Sequence, residues 1–243
     1  MLSNIRVVLV QTFHPGNIGS TARAMKTMGL SDLVLVNPRA FPDDEATRLA
    51  AGATDLIESA RVVTALEDAV SDCVRVVGAS ARLRSLPLPH YDEPDDMAAA
   101  LVEDCFHDKV ALVFGRERYG LTNEEIACCS HQVSIPANPD YGILNLAQAV
   151  QVLAWEIRRT WRRHPQGAAC VNRTAEERSP TREQMIHFQE HLSRIMQRSG
   201  FITQPHARTE AQLQALFARA EPTRKELSLL RGLLASLEGH IDP

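Results

Sequence analysis

No run in this chain approaches the length of a membrane span. The N-terminus, Met1-Leu-Ser-Asn-Ile-Arg6, also lacks the apolar stretch behind a basic start that marks a secretory leader. A cytoplasmic protein is the expectation, with no membrane partner. Cysteine is scarce: Cys73, Cys105, Cys128, Cys129 and Cys170 are odd in number and include no Cys-x-x-Cys pair. That argues against a disulfide framework and against a zinc knuckle, and leaves reduced thiols. Internal repeats are absent as well, so no repeat architecture is expected.

What is present is enough apolar material for one sizeable core and a smaller appendage, 44% of 243 residues. The net charge of −4 conceals an asymmetry. Residues 1–150 carry 12 Lys and Arg against 20 Asp and Glu, a balance of −8, and residues 151–243 carry 14 against 10, or +4. Bases gather at Arg158, Arg159, Arg162 and Arg163, with Arg173, Arg178 and Arg182 further on. Such a run suits a surface that meets phosphates, although a solvated helix face has the same look.

Short, continuous apolar segments alternate with helical ones through the first 150 residues. Strands are expected at Ile5–Val10, Leu33–Val36, Val74–Val77, Val110–Phe114 and Gln132–Ile135, apolar throughout because a parallel sheet is covered on both faces. Helices are expected at 18–28, 43–51, 65–70, 95–103 and 123–128. A long one follows over 145–163, where Leu146, Ala149, Val150, Leu153 and Ile157 recur at helical spacing. The class is therefore α/β, with a mostly parallel sheet and helices on both faces. Residues 164–180 mix Pro, Gly, Asn and Ser without period and read as a mobile linker. Three short helices, at 181–198, 206–220 and 223–238, make a small helical C-terminal extension, the first carrying Met185, Phe188, Leu192 and Ile195 as an apolar stripe.

Three segments carry chemistry. Phe114-Gly-Arg-Glu-Arg-Tyr-Gly-Leu121 begins where a buried strand ends, and ligands of open α/β sheets bind outside the carboxyl ends of strands. Gly115 lets backbone approach a ligand, although glycine after a strand is also ordinary turn chemistry. Ile135-Pro-Ala-Asn-Pro-Asp-Tyr-Gly-Ile-Leu-Asn145 is a long loop after the next strand, and two such loops side by side make a pocket. Asn17-Ile-Gly-Ser-Thr-Ala-Arg23 follows the first strand, with Asn17 a competent N-cap and Arg23 projecting from the first turns of a helix.

Together these segments resemble the SPOUT superfamily of knotted methyltransferases, in its 2′-O-methylating branch. Asn-x-Gly-x-x-x-Arg at 17–23, Phe-Gly-x-Glu-x-x-Gly-Leu at 114–121 and Ile-Pro…Leu-Asn at 135–145 match its three motifs in order. The likeness is strong over residues 1–163 and general over the tail. It is nearest to enzymes that methylate the ribose of cytidine or uridine at nucleotide 32 of tRNA anticodon loops.

The resemblance implies a C-terminal deep trefoil knot, a homodimer through the knotted region, tRNA as partner, and S-adenosylmethionine held by Ala79, Ser80, Ala81, Gly115, Ile135, Gly142, Ile143 and Leu144. It divides the chain into a methyltransferase domain (1–163), a linker (164–180) and a tRNA-binding extension (181–243). It makes Arg23 and Asn17 catalytic, with Glu117 and Asn145 in support, and Arg23, Arg158, Arg159, Arg162 and Arg163 the RNA contacts. A sulfonium methyl is already electrophilic, so the reaction needs orientation and stabilisation of a developing alkoxide, and no metal. Arg23 offers a fixed fork of donors for a phosphate or that oxyanion.

One departure stands out. The family has Ser-Leu-Asn in its last motif where this chain has Ile143-Leu-Asn145, and Ile143 has no hydroxyl. That keeps open an alternative: a catalytically weak or inactive RNA-binding protein of the same fold. His187-Phe-Gln-Glu-His191 matches a zinc-peptidase pattern in form only, because it lies within an apolar-striped helix with only about 50 residues after it.

Overall fold

The computed structural model describes residues 1–80, 88–164, 173–202 and 207–241. Ala81, Cys170 and His206 lie outside them. The described chain forms seven strands: β1 (Ile5–Val10), β2 (Asp32–Val36), β3 (Arg61–Val63), β4 (Cys73–Ala79), β5 (His90–Tyr91), β6 (Lys109–Phe114) and β7 (His131–Val133). They make one sheet in the order β3-β2-β1-β6-β4-β7-β5, with every pairing parallel. The five expected strands are all present, β7 ending two residues early. The sequence reading missed β3 and β5, short strands at the two edges.

All six residues of β1 are buried, and their alternation assigns them to two faces. Ile5, Val7 and Leu9 join one cluster with residues of α1 (Pro15–Met28), α2 (Asp44–Ala50), α3 (Thr54–Glu58), α5 (Pro94–Asp104) and α7 (Leu146–Arg163). Val8 and Val10 join another with α4 (Leu66–Val70) and α6 (Asn123–Ala127). The sheet is thus covered on both sides, and continuous apolar strands follow from that. Arg6 is buried at the lower end of β1. Its guanidinium is spent on Asp32 at 2.8 Å, Asp72 at 2.6 Å and the Ala69 carbonyl at 2.6 Å, which joins three elements beneath the sheet.

The tail folds as α8 (Arg182–Arg198), α9 (Ala207–Ala220) and α10 (Arg224–Ile241). Phe188 and Ile195 of the expected stripe pack against Leu227 and Leu234 of α10, with Met185 and Leu192 alongside. Of the region read as a mobile linker, residues 173–180 make specific contacts. Arg173 pairs with Glu103 at 2.7 Å, and the Arg178 carbonyl accepts from Arg224 N at 2.9 Å.

The tail reaches the sheet domain through polar groups, Arg182 among them buried. Arg182 donates to the Cys128 and Ala127 carbonyls at 3.0 and 2.6 Å, and Gln214 adds a bond to Ala127 O at 2.8 Å. Arg75 on β4 bonds Asp104 at 2.6 Å, Tyr91 Oη at 3.0 Å and Glu221, between α9 and α10, at 2.7 Å. His131 Nε2 lies 3.1 Å from the same Glu221 oxygen. Contact with His131, together with Arg75, holds the Glu221 carboxyl at about 2 although partial desolvation works to raise it.

A carboxyl lowered on folding stabilises above its unfolded pKa and loses that contribution as the pH falls toward its folded one. Glu221→Gln is expected to cost about 1 kcal/mol at pH 7, small because Glu221 is half exposed and its charge partly screened by solvent. The difference in melting temperature from wild type should shrink between about pH 4.5 and about 2, the interval between the ordinary carboxyl value and the lowered one. A constant difference across that range would rule the ion pair out as the cause.

Candidate active site

The strand order reverses between β1 and β6. Chain leaving β1 goes to β2 and then β3 on one side, while β4 to β7 fill the other. Loops leaving the carboxyl ends of such strands diverge and leave a crevice. A cleft of about 530 Å³ lies beside it, over the carboxyl ends of β6, β4 and β7. Ala79 and Ser80 reach it from the end of β4, Gly115 from the end of β6, and Ile135, Gly142, Ile143 and Leu144 from the loop after β7. Seven of the eight positions expected to hold a cofactor thus line one cavity, and Ala81 lies outside the described residues.

The sequence reading missed the apolar floor of this cleft, Phe114, Leu121, Val133 and Leu146. Their signal was that of any core residue. It also missed what fixes the loop after β6. Arg116 forms a two-bond fork with Glu125 at 2.8 and 2.9 Å and bonds Gln11 Oε1 at 2.9 Å. Glu125 in turn closes a capping box with Thr122 at the start of α6, a pattern legible in Thr122-Asn-Glu-Glu125. Gln11 sits in the left-handed region with φ 48°, a strained position for a non-glycine, and Arg116 holds its side chain there.

Gly115 has a steric reason. A Cβ placed on it would come 2.1 Å from the Gly120 carbonyl carbon and 2.2 Å from Leu121 N, both backbone atoms. The loop folds directly over this residue, and paired backbone bonds between Arg116 and Gly120, at 2.9 and 3.2 Å, close it.

Glu117, Asn17 and Asn145 form a chain across the mouth of the site. The Glu117 carboxylate accepts from Phe13 N at 3.0 Å, His14 N at 3.1 Å and Asn17 Nδ2 at 2.9 Å. Asn145 Nδ2 donates to Asn17 Oδ1 at 2.9 Å, while Asn145 Oδ1 accepts from Ala147 N and Gln148 N and caps α7. Three motifs distant in sequence are therefore tied by one amide, Asn17. Asn17 is not the expected N-cap: α1 begins at Pro15, with His14 in the capping position. Proline's preference for the first turn moved the helix start upstream.

Burial works to raise the Glu117 pKa, but the bonds from Asn17, Phe13 and His14 outweigh it and hold the group charged below its usual range. Glu117→Ala leaves those donors without their acceptor, and a loss of about 1 kcal/mol is expected because solvent reaches part of the gap. The stabilisation is full above the ordinary carboxylate pKa and is lost as the pH falls below it. Thermal melts should therefore show a gap at pH 7 that closes in acid.

Arg23 lies on the exposed side of α1, in a shallow groove shared with Asn145, Gln148 and Gln151 of α7. Among the described residues no ion pair engages its guanidinium. The groove and the cleft meet at the start of α7, where Leu144 and Leu146 line one and Asn145 the other.

The Arg158–Arg163 cluster is not brought to this place. α7 starts at the cleft and runs 18 residues, about 27 Å at the standard rise, so its last turn lies near the opposite pole of the sheet. Arg159 is engaged by Glu156 at 2.6 Å, and Arg158 stands over the Trp161 ring at 5.1 Å and borders Gly29. Only Arg162 and Arg163 of the four are exposed. Far along the tail, His191 pairs with Glu238 of α10 at 3.1 Å while His187 faces solvent.

A parallel α/β sheet with a cleft over the carboxyl ends of its strands, two motifs lining that cleft and the third tied to them through Asn17, defines a class. Residues 4–155 match the model of the SpoU rRNA Methylase family, and the chain belongs to that family. Residues 183–243 match a second model, "tRNA methyltransferase TrmJ, C-terminal domain". The tRNA (cytidine/uridine-2'-O-)-methyltransferase TrmJ of Yersinia pestis (strain Pestoides F) is 49% identical over 239 residues, covering 98% of this chain and 93% of that protein. The same enzyme from Klebsiella pneumoniae is 48% identical, with 98% of each chain covered. The crystal structure of TrmJ from Z. mobilis ZM4 superposes with a TM-score of 0.80 at 30% identity, covering 96% of this chain and 98% of that one.

Proposed function

We propose that this chain is a tRNA ribose 2′-O-methyltransferase of the TrmJ type, transferring methyl from S-adenosylmethionine to the 2′-hydroxyl of cytidine or uridine at nucleotide 32 of the anticodon loop. The observation that carries the reading is the convergence of residues from three separate loops on one cleft, with the exposed Arg23 guanidinium, engaged in no ion pair among the described residues, beside its mouth. The name borne by relatives near 49% identity supplies the substrate class.

The cleft suits the cofactor. Its volume lies within the range of small-molecule sites. Its floor is apolar, and Ser80, Gly115, Gly142 and Leu144 line it as well, residues whose main-chain groups would read the edge of an adenine ring. S-adenosylmethionine supplies an electrophilic methyl when bound. The chain's own contribution is orientation and electrostatics. Arg23, a permanent cation, holds the ribose-phosphate or the developing oxygen anion and does not serve as the base. Asn17 acts as a positioning residue, since Glu117 and Asn145 occupy both of its polar atoms, and through them it sets the loops and the start of α7.

The finer architecture is part of the same reading. Residues 1–163 are the methyltransferase domain, 164–180 the linker and 181–243 a tRNA-binding extension. The segment from β7 to α7 passes through a trefoil knot, and two chains dimerise through it in the cytoplasm. The family-model boundaries at 155 and 183 favour this division. Exposed Arg162 and Arg163 meet tRNA phosphates at a distance from the acceptor nucleotide.

A tRNA transcript carrying a single 2′-deoxynucleotide at position 32 tests the assignment. It should bind and accept no methyl, while the unmodified transcript accepts one. Equal incorporation into both would move the acceptor to another nucleotide.

A further inference from the structure

The rim of the cleft carries large aromatic side chains that folding leaves exposed to solvent. Tyr141 is 86% exposed, Tyr119 76% and Phe13 47%. The chain has three tyrosines, and the two exposed ones both stand on loops that bound the cofactor cleft, Tyr119 after β6 and Tyr141 after β7. Phe13 is brought to the same mouth by its backbone bond to Glu117, two residues before Tyr119. The Arg39 guanidinium lies 3.8 Å above the Phe13 ring, and the Arg39 amide is fastened to Thr12 O at 3.1 Å. Arg118 is exposed beside Tyr119. Planar, solvent-facing rings and guanidinium planes interleaved with positive charge form the surface on which unstacked bases of single-stranded RNA settle.

We propose that Tyr119 and Tyr141, with the Arg39–Phe13 stacked pair, form a stacking platform for the splayed bases flanking the nucleotide whose ribose is methylated. This rests on the reading that the cleft serves an RNA ribose. The occupant follows from continuity with the site and from charge. Tyr119 itself lines the cleft, so the platform and the cofactor share one mouth. The exposed arginines suit phosphates. A protein partner would also cover apolar side chains, but it would have no need of guanidinium planes laid flat on a ring. Stacking accepts any base, so the platform sets the conformation of the loop, and the choice of nucleotide is left to contacts nearer the reacting hydroxyl.

The test measures dissociation constants of the full-length protein for a fluorescein-labelled anticodon stem–loop, which require no methyl transfer, together with KM for unmodified tRNA. Tyr119→Ala and Tyr141→Ala should each weaken RNA binding and raise KM roughly 10-fold, the size of one lost base stack. Melting temperature should stay unchanged for both, and S-adenosylmethionine affinity should stay unchanged for Tyr141→Ala, whose ring is not among the residues lining the cleft. Tyr→Phe at either position should restore binding to within about twofold, because the ring remains. Stacking releases no counterions, so the tyrosine variants should keep the wild-type salt slope, whereas Arg39→Ala should reduce it by about 1.

RNA affinity within twofold of wild type for both alanine variants would overturn the proposal. So would phenylalanine variants as weak as the alanine ones, or, in Tyr141→Ala, a loss of cofactor affinity equal to the loss for RNA. Wild-type protein that binds the stem–loop through these rings and methylates no ribose would leave the platform standing and defeat the proposed activity instead.

Discussion

Gly115→Ala is expected to raise the dissociation constant for S-adenosylmethionine about 100-fold, the penalty associated with displacing a site by about an ångström. The new methyl would meet Gly120 and Leu121 backbone at 2.1 to 2.2 Å, so one side of the loop must retreat by more than an ångström. The loop cannot yield locally. Its ends are joined by the Arg116–Gly120 backbone pair, and Arg116 is clamped to Glu125 and Gln11. Retreat therefore moves the wall of the cleft. Overpacking of this kind costs about 1–3 kcal/mol of stability, which leaves the sheet folded and the loss readable by calorimetry. An affinity within a few-fold of wild type would show that this loop does not hold the cofactor.

Arg23→Ala should have the opposite signature. Methyl transfer is expected to fall by about 10²- to 10³-fold, the usual consequence of removing one preorganised donor from a developing oxyanion. Cofactor affinity should remain within error of wild type, because Arg23 lies in the adjoining groove and not in the cleft. Arg23→Lys should recover only part of the rate, since an ammonium lacks the planar fork. Calorimetry and single-turnover transfer on the same preparations separate the two effects. Joint loss of affinity and rate would place Arg23 on the cofactor side and contradict the division of labour proposed for the site.

The sheet was legible where strands were buried on both faces. Ile5–Val10 and Val110–Phe114 have no polar residue to mark a surface except Arg6, and that arginine is buried in the ion-pair cluster beneath the sheet. Edges were not legible: β3 has three residues, mostly exposed, and β5 only two, too few for any period to show. The long-range assembly of the site was hidden for a different reason. Nothing local in Asn17 indicates that its amide bridges residues 100 and 128 positions away. Its composition suggested a cap, and Pro15 took that role from it.

Charge was the least reliable guide. Arg158, Arg159, Arg162 and Arg163 looked like one patch, but helical geometry turns two inward, and α7 carries all four away from the cleft. The tail's attachment through Arg75, Arg182 and Glu221 was equally invisible, because each is an ordinary polar residue until the fold brings it against its partners.

Incubating an unmodified tRNA transcript with methyl-labelled S-adenosylmethionine and this protein, then digesting to nucleosides, tests the central claim most directly. The account predicts label in 2′-O-methylcytidine or 2′-O-methyluridine, and in neither when Arg23→Ala replaces the wild type. Label on a base, or bound cofactor with no labelled ribose, would contradict it.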